Sequence, residues 1–174
     1  MKSHDKVFRL TFLSLMVATE VVLSPFSIPL GVAKAFPAQH AINIIIGVIL
    51  GPVPAVGAAF VTSLIRVTMG TGTLLAFPGS MIGAFLGGWL YSKSGKKIMF
   101  AFAGEIIGTG ILGALAAYPV AAFVMGRQVA LFAFVIPFMA SCAAGASISV
   151  ILVTALSKSG VLDMMIRKMA QSAQ

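Results

Sequence analysis

Apolar residues run along this chain in six stretches, separated by glycine, proline and clustered charge, near residues 8–25, 37–51, 53–70, 78–92, 97–124 and 128–157. A helix needs about 20 apolar residues to cross a hydrocarbon core about 30 Å thick, because each residue rises 1.5 Å. The stretches therefore predict an all-α integral membrane protein of six transmembrane helices, occupying residues 1–174 as one domain. The second and fourth stretches are short. From Pro37 to Gly51 a helix covers about 22 Å, so its outer end falls short of the membrane surface and leaves room for a cavity. Leu50-Gly51-Pro52-Val53-Pro54 ends one span and opens the next, with Pro54 suited to a first helical turn. Gly70-Thr71-Gly72-Thr73 followed by Phe77-Pro78-Gly79 predicts an irregular connector, and Tyr118-Pro119 and Pro137 predict kinks in the last two helices.

Composition supports lipid as the solvent: 59% of residues are hydrophobic and 9% charged, against roughly 25% charged in a soluble domain. Lys and Arg number 12 against 4 acids, a net charge of +8. The cations stand at the ends of apolar runs without interleaved aromatics, so they read as a topology signal and not as a nucleic-acid surface. Nine of them (Lys2, Lys6, Arg9, Lys93, Lys96, Lys97, Lys158, Arg167 and Lys168) fall on one side of a six-span arrangement, and Lys34, Arg66 and Arg127 fall toward the other. The bias predicts a multi-pass protein of the cell membrane with both termini cytoplasmic. Lys2, Lys6, the apolar run from Leu10 to Leu23 and the triplet Ala33-Lys34-Ala35 also suit a secretory signal peptide, whose removal would leave five spans. The run exceeds the usual 7–15 residues or so and the triplet lies far beyond it, which favours a retained first helix.

Energy conversion and catalysis find no motif. Ser94-Gly95-Lys96-Lys97 lacks the first glycine and the hydroxyl of a phosphate loop, so ATP-driven transport would need another subunit. No HExxH or nucleophile elbow occurs, no metal or cofactor site is predicted, and the single Cys142 reads as an inert buried thiol.

Polar chemistry gathers toward the outer half. Gln39 and Asn43 are four apart on one face of the second helix, His40 is adjacent, and the helix N-terminus adds a partial positive charge. Three uncharged polar groups in five residues suit a small polar or heteroaromatic ligand, although interhelical hydrogen bonding uses the same groups. Arg66 costs about 2.5–3.5 kcal/mol at the membrane centre. It either pairs with Glu20, at about 16 Å up the first helix against about 19 Å up the third, or snorkels to the interface. Thr71, Gly72 and Thr73 offer backbone N–H groups and hydroxyls near Arg66, and Phe77 offers a ring for stacking. Glu105 reads either as the acid of an ion-coupled transporter or as a protonated carboxyl bonded to a neighbouring helix. Gly83 with Gly87, Gly104 with Gly108, and Ala140 with Ala144 predict close helix packing.

The strings Pro37-Ala38-Gln39-His40-Ala41-Ile42-Asn43, Leu50-Gly51-Pro52, Ser63-Leu64-Ile65-Arg66 and Gly70 to Ser80 resemble the ThiW family. That family comprises substrate-binding S components of energy-coupling factor (ECF) transporters for hydroxyethylthiazole, the thiazole precursor of thiamine. The resemblance implies a six-helix S component with its ligand near the outer face, at Gln39, His40, Asn43, Arg66, Thr71, Gly72, Thr73 and Phe77. It also implies partnership with a membrane-embedded T component and two cytoplasmic ATPases. Ser14 and Ala18 stand nearest to the small-residue docking surface that such components often carry. Two other readings remain: a self-sufficient ion-coupled transporter using Glu105 or Glu20, and a membrane enzyme.

Overall fold

A computed structural model describes residues 3–171, which form seven helices and one short hairpin. Helix α1 spans Ser3–Leu23 and runs through a 3-10 turn, Ser24–Phe26, into strands β1 (Ile28–Leu30) and β2 (Ala33–Ala35). Helices α2 (Pro37–Leu50), α3 (Pro52–Thr68), α4 (Ala76–Lys93), α5 (Ile98–Val124), α6 (Val135–Lys158) and α7 (Val161–Gln171) follow. Three segments, Lys6–Phe26, α5 and α6, are long and apolar enough to cross a membrane, while α2 and α3 are apolar but shorter.

Proline and glycine set the boundaries. Pro37 and Pro52 open α2 and α3, where the missing N–H would have had no helical partner anyway. Gly51, at φ 94°, ends α2 and lets the next helix begin one residue later. α2 is the central element: ten of its 14 residues are buried, against α4 on one side and α6 on the other. α1 is peripheral, packing Val17 against α2 and α3 while Leu10, Leu15 and Val22 stand exposed.

The α4–α5 contact rests on glycine. A Cβ on Gly108 would lie 2.6 Å from the Cα of Gly83, and one on Gly104 would lie 2.7 Å from that of Gly87, so the two helices touch backbone to backbone. Both glycine pairs therefore pack as their spacing predicts. Ala140 and Ala144 do not; both are exposed on α6, which buries Ser141, Cys142, Gly145 and Ala146 instead.

Four further features depart from the sequence pattern. Residues 128–134 are not helical, because Gly126 turns the chain at φ 64° and α6 starts only at Val135. Pro137 therefore lies in a first turn, where proline is tolerated, and does not kink the helix. The irregularity at Pro119 takes the form of wide π-type turns over Val120–Val124, and a longer run of them, Ile106–Gly113, precedes it. The hairpin is an addition to the expected all-α scheme: Pro29 pairs with Lys34 across a two-residue turn, and Gly31 takes φ 58° at its first position. Amphipathic α7 is also additional, laying Leu162, Met165, Ile166 and Met169 on the core where Phe8, Phe12 and Tyr91 meet.

Candidate functional site

A cavity of about 380 Å³ opens at the end of the bundle that carries the hairpin. This falls near the small end of the range for small-molecule sites, roughly 300–1,000 Å³. The hairpin residues Pro29 and Gly31 to Lys34 wall one side, and Thr71, Gly72 and Thr73 another. Gln39 and His40 from the start of α2 line the interior, with Gly79 and Ser80 from α4, Thr109 from α5, and Phe138 and Ser141 from α6. The hairpin is tied to the bundle by the Phe36 N–H, which donates to Ser141 Oγ at 2.7 Å.

Two polar networks make this lining. In the first, Arg66 Nη1 donates to Gln39 Oε1 at 2.5 Å, and Gln39 Nε2 donates to Ser63 Oγ at 3.3 Å. Ser63 meets Ser80 at 3.2 Å, and Ser80 donates to the Ala76 carbonyl at 2.8 Å. Helices α2, α3 and α4 are thus joined through uncharged groups, with Arg66 nearly buried and its guanidinium 4.0 Å above the Phe36 ring. Cation–π contact and charge-assisted hydrogen bonding hold the Arg66 charge in place of an acid.

The second network joins α2 to α5. His40 Nδ1 lies 2.7 Å from Glu105 Oε1, and Thr109 Oγ donates to the same oxygen at 2.9 Å. Nδ1 is engaged by Glu105, and Nε2 is the ring nitrogen left for a ligand. Gly83 makes the contact possible, since a Cβ there would lie 2.8 Å from Glu105 Oε1. Among the described residues no cluster of three His, Cys, Asp or Glu side chains is placed to hold a metal.

The family model of the thiamine-precursor transporter protein, ThiW, matches residues 10–159. The chain belongs to this family. No curated protein and no solved structure matches it. Membership makes the chain a transporter protein, and its apolar helices fit a membrane setting.

Within this ThiW-family chain the residues singled out by sequence are divided. Gln39, His40, Arg66, Thr71, Gly72 and Thr73 all line the cavity. Asn43 does not; it is fully buried one turn deeper, with Nδ2 reaching the Ser80 carbonyl at 3.5 Å. Phe77 also lies outside the lining and packs on Phe60, with ring centroids 5.5 Å apart. The backbone N–H groups of Thr71 and Gly72 are not open to a ligand, because both donate to the Arg66 carbonyl at 2.9 Å. Glu20 faces Thr62 and Arg66 across the α1–α3 contact, but it closes no salt bridge, and neither carboxylate oxygen has a hydrogen-bond partner. Ser14 and Ala18 are both exposed on α1.

Sequence reasoning missed Phe36, Phe138, Ser141 and Thr109 as lining residues. Phe36 carried a usable signal, since it directly precedes the polar start of α2. Phe138, Ser141 and Thr109 reach the cavity through packing of distant helices, which no local pattern encodes.

Proposed function

We propose that this chain is the substrate-binding S component of an ECF-type transporter that captures hydroxyethylthiazole at the outer face. The observation that carries the reading is the cavity itself: a small, mostly apolar space with a few convergent polar groups, in a member of a thiamine-precursor transporter family. The thiazole ring lies against Phe138. Gln39, Arg66 and Thr73 supply donors, and His40 Nε2 accepts from the hydroxyethyl group. Asn43 acts from beneath, holding α4 in place, and Phe77 acts through its packing on Phe60.

In this reading six helices cross the cell membrane and both termini face the cytoplasm, where the basic residues of α1, the α4–α5 turn and α7 gather. Energy comes from two ATPase subunits through a T component, which docks on the exposed face of α1 around Ser14 and Ala18.

One observation favours a second reading. Glu20 is fully buried with both oxygens unbonded, as an ion-coupling acid would be before it takes up its ion. Reconstitution separates the two. The S-component reading predicts uptake of labelled hydroxyethylthiazole into liposomes only when the T component, both ATPases and ATP are present. Uptake by this chain alone under a proton or sodium gradient would establish the second reading instead.

A further inference from the structure

Building on the thiazole-site reading, we infer that the cavity takes its ligand in anionic form, as the phosphate monoester of a small heteroaromatic alcohol, in preference to the neutral alcohol. Of the 12 Lys and Arg residues, nine fall in three basic stretches of the sequence, at residues 2–9, 93–97 and 158–168, and the remaining three are Lys34, Arg66 and Arg127. They come from the hairpin, from α3 and from the loop after α5, yet all three line the one cavity. Orientation in a membrane explains why outer cations are few. It does not explain why three distant segments bring all of them to the same place.

No acid offsets them within the lining. The chain has four acids: Asp5 and Asp163 stand in the basic segments at its two ends, Glu105 lies behind the lining, bonded to His40 and Thr109, and Glu20 is buried outside the cavity, where it faces Arg66. The α2 and α4 N-termini also open onto this space, through Phe36 and through Leu75 and Ala76, and each adds partial positive charge.

Arg66 supplies the specific feature. It is 4% exposed, and its Nη1 is spent on Gln39, while its Nε has no partner. Its planar guanidinium lines the cavity, a shape suited to phosphate oxygens. A neutral ligand would leave that buried charge with one hydrogen bond, one ring and a Glu20 that faces it without closing a salt bridge. Lys34 and Arg127 are exposed, so they steer an anion inward and then close over it from two sides.

The same cations would also suit the phosphate of an anionic lipid, so the test separates the two sources. The chain is placed in nanodiscs of phosphatidylcholine alone and titrated calorimetrically with hydroxyethylthiazole, with its phosphate monoester and with inorganic phosphate. The expected result is that the ester binds about tenfold or more tightly than the alcohol, that inorganic phosphate competes weakly, and that the gap narrows at high salt and in Lys34→Gln/Arg127→Gln. Equal or tighter binding of the alcohol overturns the charge inference and leaves the thiazole reading standing. Binding of neither thiazole overturns both. Retention of phosphatidylglycerol that depends on Lys34 and Arg127, with no ester preference, assigns these cations to lipid and also overturns the inference.

Discussion

Arg66 shows how one residue settles a choice that depth alone left open. Glu20 and Arg66 sit at comparable heights on α1 and α3, which leaves pairing and snorkelling both open, but the guanidinium turns toward Gln39 and Phe36. The guanidinium beside the proposed ligand site is thus hydrogen-bonded to a neutral amide, with Glu20 facing it but closing no salt bridge. A double-mutant cycle tests this. Gln39→Ala and Arg66→Ala should be non-additive in detergent unfolding, with a coupling in the range of about 0.5–3 kcal/mol. The Glu20→Ala and Arg66→Ala cycle should couple less. A larger coupling for Glu20 would contradict the assignment.

At the scale of elements, the structure depends on how near α4 and α5 can come. Gly83 and Gly108 meet backbone to backbone, and the same approach brings Glu105 under Gly83 and within reach of His40. Gly108→Leu should therefore destabilise by about 1–3 kcal/mol or more, since rigid backbone cannot yield to the new side chain. Gly57→Ala is the contrast, with open space around its Cβ on helical α3, and should be neutral or stabilising by up to about 1 kcal/mol. Equal effects in thermal unfolding would show that the helices do not meet as described. Much of this level was legible in the chain. Proline and glycine marked where α2, α3 and α4 begin and end, because they act through local backbone chemistry. The hairpin escaped notice because Ile28 to Ala35 is short and its only signal is Gly31 before Val32. Phe138 and Thr109 escaped because their place in the cavity is set by packing between helices far apart in sequence.

For the whole molecule, charge divides the two ends. Lys168 lies 4.1 Å over the Phe8 ring at the basic end, while Lys34, Arg66 and Arg127 mark the end with the cavity. In a Cys142→Ala background, Gln128→Cys should react in intact cells with a thiol reagent that cannot cross the membrane, and Lys97→Cys only after permeabilisation. Both positions are exposed, so the reverse pattern would invert the proposed orientation and place the cavity inside.

The central claim is that the cavity at the start of α2 is where a thiamine precursor is held, without nucleotide or gradient. Equilibrium binding of labelled hydroxyethylthiazole to the purified chain, beside His40→Ala and Gln39→Ala, tests it most directly. Saturable binding at one site per chain is expected, weakened about tenfold or more in each variant, as losing a hydrogen bond worth about 1.5 kcal/mol implies. Absence of saturable binding, or full affinity in both variants, would contradict it.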